Sequence, residues 1–260
     1  MSQLERLLRI MERLRDPEGG CPWDREQDWA SIAPHTLEEA YELADAIARA
    51  DVDAVRDELG DVLFQVVFQA RIAQERGLFD FEAVARTIGD KLERRHPHVF
   101  GEARIESAAA QTHAWEQHKL AERTERGQGT GALDGVTLGL PALTRAAKLG
   151  SRAARVGFDW ADAAGVFDKV QEEVAELQRE LAAGDRGRIG EELGDVLFSL
   201  AQAARHLGLE AESALREANA KFERRFRHVE AQLAREGLTA TDVDMRRLDA
   251  LWDVAKRELG

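Results

Sequence analysis

Apolar residues recur along this chain at helical rather than strand spacing. Val62, Leu63, Val66, Val67 and Ala70 keep to one face of a 3.6-residue repeat, and no β-branched run with strict alternation occurs, so the pattern predicts an all-α fold. Prolines punctuate only the first part of the chain, at Pro17, Pro22, Pro34 and Pro97, with Pro141 alone thereafter. Long uninterrupted helices are therefore expected in the second half. Between the halves, Gly127, Gly129, Gly131, Gly135 and Gly139 fall in a stretch without apolar periodicity. The expected organisation is a first repeat over 1–123, a glycine-rich linker over 124–140 and a second repeat over 141–260.

The two halves resemble each other. Asp57-Glu58-Leu59-Gly60-Asp61-Val62-Leu63-Phe64 returns 134 residues later as Glu191-Glu192-Leu193-Gly194-Asp195-Val196-Leu197-Phe198. At the same offset Glu38-Glu39-Ala40-Tyr41-Glu42-Leu43 returns as Glu172-Glu173-Val174-Ala175-Glu176-Leu177. Lys91-Leu92-Glu93-Arg94-Arg95 is echoed by Lys221-Phe222-Glu223-Arg224-Arg225, and Trp115 with Lys119 by Trp252 with Lys256. A shared offset through the acidic blocks leaves no room for a gap between them, which marks a duplicated domain.

Within one helix, residues three apart share a face, so Glu39 with Glu42, and Glu58 with Asp61, each project two carboxylates in one direction. In an antiparallel helical hairpin, facing residues are equidistant from the turn. Glu42 and Glu58 average to position 50, as do Glu39 and Asp61; Glu176 with Glu192, and Glu173 with Asp195, both average to 184, which is Gly184. Each hairpin is thus expected to gather four carboxylates at one level. Such a cluster must be relieved by protons or by cations, and an oxygen-only set suits Mg²⁺, or Mn²⁺ in its place, rather than zinc. Solvated faces also use this spacing, and Thr36 with Glu39 matches a capping box that would explain one acid without a metal. The counterpart of Thr36 is Val170, so capping leaves Glu173 unexplained.

Charge narrows the partners. With 36 Lys+Arg against 49 Asp+Glu the formal charge is −13, which argues against nucleic acid as a partner. Small polyanions remain open, because eight of those negatives lie in the two acidic sets. Lys91, Arg94 and Arg95 form one cationic helical face, repeated as Lys221, Arg224 and Arg225, suited to phosphate or to intrahelical pairing. Trp115 and Trp252, each one turn from a lysine, could stack a base or fill a core. Carboxylates for a divalent ion, cations for phosphates and an indole for a base describe a nucleoside triphosphate site. Cys21 is the single cysteine, Met1 to Leu14 mixes charges among its apolar residues, and no stretch is apolar enough to span a membrane. A cytoplasmic protein without a signal peptide is expected. The histidines His96, His98, His113, His118, His206 and His228 lie in no metalloprotease-type context and are read as structural or peripheral.

The run Arg13-Leu14-Arg15-Asp16-Pro17-Glu18-Gly19-Gly20-Cys21-Pro22-Trp23-Asp24, the two acidic blocks, Lys91 to Phe100 and Val156-Gly157-Phe158-Asp159-Trp160 together closely resemble the MazG family of two-domain nucleoside triphosphate pyrophosphohydrolases, over essentially the whole chain. The resemblance implies tandem helical-hairpin domains built as four-helix-bundle-like units, a homodimer, and Mg²⁺-dependent hydrolysis of a nucleoside triphosphate to monophosphate and pyrophosphate, with house-cleaning of the nucleotide pool as its use. Carried over by motif, Glu173, Glu176, Glu192 and Asp195 would hold the metal in the second repeat, where the family chiefly works. Lys169, Glu172 and the Lys221 to Arg225 segment would line the nucleotide, with Trp252 at the base and Lys256 near the phosphates; Glu172 would orient the attacking water. Glu39, Glu42, Glu58 and Asp61 are the matching first-repeat metal set, with Lys91, Arg94, Arg95, Trp115 and Lys119 beside them. A carboxylate-bridged di-iron bundle is disfavoured because neither acidic block supplies the histidine it needs. A nucleotide-sensing module without turnover is the remaining alternative.

Overall fold

The structure, a computed structural model, describes residues 2–103, 107, 111 and 131–260. Among these every regular element is helical, and the chain divides into two compact units, Met1–Lys119 and Leu120–Gly260. The linker expected over 124–140 is described only from residue 131, where the chain forms turns before Pro141.

In the first unit, α1 (Gln3–Leu14) leads through a short helix, α2 (Pro22–Glu26), into a long hairpin of α3 (Trp29–Ala48) and α4 (Val52–Glu75), followed by α5 (Phe81–Arg95) and α6 (Pro97–Phe100). α3 begins earlier than the Thr36 capping box suggests. Asp28 caps it, accepting from the Ser31 amide at 2.9 Å while Ser31 returns a bond to the Asp28 backbone, so Pro34 sits inside the helix rather than before it. Thr36 is a mid-helix residue whose hydroxyl donates to the Ile32 carbonyl and accepts from Gln69 on α4 at 2.9 Å. Capping therefore does not account for Glu39. The hairpin turns through Ala50, which takes left-handed backbone at φ 54, and packs with α1 around buried Met11, Ile32, Val67, Phe68 and Ile72.

The Arg15 to Asp24 motif does structural work. Arg15 is buried, with its guanidinium 2.7 Å from Glu75 at the end of α4, over the Phe68 ring, and donating to the carbonyls of Asp24 and Gln27. One side chain thus pins the connection between α1 and α3 to the far end of α4. At Gly20 a Cβ would stand 2.4 Å from the Leu14 carbonyl oxygen and 2.6 Å from that of Asp16, so the loop closes only around glycine.

The second unit repeats the hairpin as α8 (Ala163–Ala183) and α9 (Arg186–His206), preceded by α7 (Ala142–Ala154) and followed by α10 (Ala211–Arg235), a 3₁₀ turn (Ala240–Asp242) and α11 (Met245–Leu259). Gly184 ends α8 at φ 80, where the left-handed cap favours glycine, and Asp185 caps α9. α10 and α11 enclose a second core of Val229, Leu233, Leu251 and Ala255. Buried polar groups lock α7 to α9: Gln202 is fully buried, donates to the Ala146 carbonyl at 2.8 Å and accepts from Arg205 Nε at 2.9 Å. Arg205 also pairs with Asp159, which His206 reaches at 2.9 Å. The Arg205 hydrogen bonds hold the Asp159 carboxyl well below the usual range, against the opposing effect of burial.

Gly150 on α7 leaves the space that Gln202 fills, since a Cβ there would lie 1.7 Å from Gln202 Oε1. Gly150→Ala is expected to lower stability by about 2 kcal/mol, because the amide must leave its buried partners. Gly190 in α9 is different: a Cβ at that position would meet nothing within 4 Å, so Gly190→Ala should stabilise by up to about 1 kcal/mol through helix propensity alone. Urea denaturation of both variants checks this contrast, and equal effects would remove Gln202 from the explanation.

Candidate functional site

The hairpin register decides which side chains meet. With turns at Ala50 and Gly184, the acids of each hairpin face one another across the helix pair. In the first unit Glu39 from α3 and Glu58 and Asp61 from α4 each offer an oxygen within 4.8 Å of the others. In the second, Glu173 and Glu176 from α8 and Glu192 from α9 do the same. The expected set of four is thus a tight triad plus one. One member of each set stands outside its triad. That member is Glu42 in the first unit and Asp195 in the second, both exposed.

The fourth acid still acts through its charge. Glu39 is raised above the usual carboxylate range by burial and then by Asp61, Glu42 and Glu58; Glu58 is raised by burial and then by Glu42 and Asp61. Glu192 is raised by burial, then by Glu176, with Asp195 and Glu173 adding and Arg188 opposing. Glu58 Oε2 is buried without a hydrogen-bond partner. Carboxylates held at this proximity, with an unsatisfied oxygen and no imidazole or thiolate among them, fit a hard divalent cation and do not fit a di-iron centre that requires histidine.

Cationic side chains crowd the second triad. Lys169 Nζ lies 2.8 Å from Glu172 and 2.6 Å from Glu173, and these contacts raise its pKa well above the lysine range. Arg179 pairs with Glu176 at 2.9 Å, and Arg188 with Glu192 at 3.4 Å and Glu191 at 3.2 Å. Sequence reasoning passed over Arg179 and Arg188. The signal was present, because Arg179 lies three residues after Glu176 and Arg188 four before Glu192, on the faces already assigned to the acids.

The nucleotide-side residues occupy other helices. Lys221 and Arg224 are exposed on α10, and Arg225 donates to the Gly260 carbonyl at 2.8 Å. Trp252 on α11 is half-buried, 5.1 Å between centroids from Phe222, and packs on the second core, as the core reading expects. Lys256 pairs with Asp253 at 2.7 Å. Among the described residues no ion pair joins Lys221, Arg224, Arg225 or Lys256 to the second triad. In the first unit Lys91, Arg94 and Arg95 close α5, which Pro97 ends. Trp115 and Lys119 lie outside the described residues, as do His113 and His118. Among the described residues no helix is long and apolar enough to cross a membrane.

The site can be compared with known proteins. The sequence model of the MazG nucleotide pyrophosphohydrolase domain matches the chain twice, over residues 27–100 and 164–230, which covers both hairpins. The nucleoside triphosphate pyrophosphohydrolase of Escherichia coli (strain K12) is 53% identical over 260 residues, 99% of this chain and 98% of its own. The nucleoside triphosphate pyrophosphohydrolase/pyrophosphatase MazG of Thermotoga maritima is 43% identical over 252 residues, 97% of this chain and 95% of its own. The crystal structure of a mazG-related protein from Thermotoga maritima aligns with 44% of this chain and 97% of its own, at 30% identity and a TM-score of 0.38. Two domain matches and near full-length identity to these relatives place the chain in the MazG family of nucleotide pyrophosphohydrolases.

Proposed function

We propose that this chain hydrolyses nucleoside triphosphates at the α-phosphorus, giving a nucleoside monophosphate and pyrophosphate, with Mg²⁺ as the cofactor and Mn²⁺ as a working substitute. The observation that carries this reading is the second-repeat triad of Glu173, Glu176 and Glu192, bracketed by cations in a chain more than half identical to a named nucleoside triphosphate pyrophosphohydrolase. Bound divalent cations would supply charge neutralisation and polarise the phosphoryl oxygens. Glu173, Glu176, Glu192 and Asp195 would hold them. Lys169 fixes the Glu172 carboxylate at the edge of the triad, where it can accept a proton from an attacking water and orient it. The water oxygen bonds to the α-phosphorus while the bond from that phosphorus to the α,β-bridging oxygen breaks, and pyrophosphate leaves with the bridging oxygen. Lys221, Arg224, Arg225 and Lys256 would meet phosphates, and Trp252 beside Phe222 a base. Stacking tolerates any base, which suits house-cleaning of aberrant nucleotides.

A homodimer is supported by an apolar stripe that recurs at the same offset, Leu59, Leu63 and Val66 on α4 and Leu193, Leu197 and Leu200 on α9, all exposed. The unpaired Cys21 supports a cytoplasmic setting. Sedimentation equilibrium is expected to give twice the 29.0 kDa chain mass, and a single-chain mass would reject the dimer.

Turnover in ¹⁸O-water is expected to place the label in the nucleoside monophosphate, with pyrophosphate as co-product; nucleoside diphosphate and orthophosphate would reject attack at the α-phosphorus. Glu192→Gln and Glu173→Ala are each expected to lower kcat/KM by about 100-fold or more, while Glu39→Ala leaves most of the activity. The reverse ranking would move the main site to the first repeat.

Cation dependence has a sign that can be worked out. The folded-state pKa values of Glu39, Glu58 and Glu192 are raised, so their contribution to stability is full below the unfolded value and is lost as pH rises through the folded ones. Ionised clusters are thus a burden at neutral pH that a cation removes. Mg²⁺ should raise Tm more at about pH 8 than at about pH 4.5, near the unperturbed glutamate value, where protons already relieve the repulsion. Equal increments at both would mean that these carboxylates are not where the ion binds.

A further inference from the structure

The two acidic clusters share their acids but not their surroundings. At the offset of 134, the positions of Lys169, Arg179 and Arg188 are taken in the first repeat by His35, Asp45 and Ala54. His35 contacts Glu38 rather than the cluster, and among the described residues no cation lies at ion-pair distance from Glu39, Glu42, Glu58 or Asp61. Arg49 and Arg56, the nearby arginines of that hairpin, pair with Asp45 and Asp51 and with Asp53 and Asp57. Among the described residues the second cluster has cations in ion-pair contact, whereas the first feels only the more distant charge of Arg49 on Glu58.

Geometry distinguishes these counter-charges from one another. Lys169 and Arg179 lie ten residues apart on α8, about 15 Å along its axis, with the triad between them. Arg188 stands near Glu180, its mirror position about Gly184, at 3.9 Å, so both arginines approach from the turn end. Their side chains are 70% and 55% exposed, whereas those of Glu173 and Glu192 are 8% and 10% exposed. Glu176, the partner of Arg179, is 35% exposed, and both arginines are held mainly by their heads. Exposed pairs of this kind are weak and easily exchanged.

We propose that Arg179 and Arg188 are displaceable counter-ions of the second-repeat cluster: they occupy Glu176 and Glu192 in the ligand-free chain, compete there with divalent cations, and transfer to the triphosphate when cation and nucleotide arrive together. The inference rests on the reading of that cluster as a cation site. A guanidinium and a metal ion compete for the same carboxylate charge, and two positive charges at one carboxylate repel, so each weakens the hold of the other. Once cations hold the oxygens, Arg179 loses its contact with Glu176 and Arg188 its contact with Glu192, leaving Arg188 only Glu191 and Glu180, and a phosphate chain offers both guanidinium groups forked hydrogen bonds. Loading of the second repeat is then coupled to nucleotide.

The test is a Mn²⁺ titration of the full chain followed by the EPR signal of unbound ion, in a Glu58→Gln background that weakens the first cluster. Adding Arg179→Gln and Arg188→Gln is expected to tighten binding of Mn²⁺ alone by about three- to tenfold, the sum of two exposed pairs removed. With a non-hydrolysable α,β-methylene nucleoside triphosphate present, the same substitutions should weaken nucleotide binding by a similar factor. Lysine at both positions should restore the affinity for Mn²⁺ alone. Unchanged or weaker binding of Mn²⁺ alone in the glutamine variant overturns the inference, as do parallel losses with and without nucleotide, the mark of residues that only shape the hairpin. Mn²⁺ binding that Glu192→Gln reduces but the arginine variants leave alone overturns this inference only; binding that Glu192→Gln leaves alone removes the cation site and the inference together.

Discussion

Repulsion between carboxylates that the backbone will not let separate is the constraint around which this molecule is arranged. Two helices joined by a tight turn have one register, and in both hairpins that register sets acids opposite acids. Glu39 faces Glu58 and Asp61, and Glu173 and Glu176 face Glu192, with oxygens within 4.8 Å. At such distances each pair repels by roughly a few kcal/mol at an effective dielectric near 20. The hairpins must therefore be held shut from elsewhere. The pins sit at the opposite end of the helices from the turn: Arg15 ties Glu75 to the α1–α3 connection, and Gln202 with Arg205 ties α9 to α7 and Asp159. Both are buried or nearly so, where charge-assisted hydrogen bonds are least screened.

Duplication makes the chain its own control. The acids, the turn positions and the apolar stripe are common to both repeats, so what differs between them is informative. The first cluster shows raised carboxyl pKa values at Glu39 and Glu58 and keeps Glu58 Oε2 without a hydrogen-bond partner. The second relieves its repulsion with Lys169, Arg179 and Arg188 and shows a raised value at Glu192. Guanidinium and ammonium groups in contact with the second cluster are one answer to this excess of negative charge. A divalent cation would be another.

Much of this arrangement was legible in the sequence, for a physical reason. Helical period and hairpin symmetry are local, so the averages at 50 and 184 locate turns that the backbone places at Ala50 and Gly184. What could not be read was which of two local solutions wins. Thr36 and Glu39 satisfy a capping pattern, but Asp28 and Ser31 satisfy a better one upstream, and the helix simply runs through Pro34. Nor could the pins be read, because they join residues far apart in the chain. Arg15 meets Glu75 across 60 positions and Gln202 reaches Ala146 across 56, and no periodicity marks such pairs. The glycines were visible, but their reasons were not: Gly20 and Gly150 are small because a backbone carbonyl and a buried amide come to where their side chains would be.

The sign of the whole chain takes on a different meaning from this vantage. A formal charge of −13 would repel a polyphosphate if it were smeared over the surface. Part of it is concentrated instead, in a triad of acids in each hairpin, while cations contact the second triad. Concentrated charge binds cations far more strongly than dispersed charge, because several carboxylates act on one ion at short range. On the proposed reading, the same acids that would keep a triphosphate out when bare would draw in the ions that travel with it. Preference for a polyphosphate over a simple anion would then follow, on that reading, from arithmetic of charge rather than from any single contact, because a ligand that travels with cations brings the charge such a site lacks.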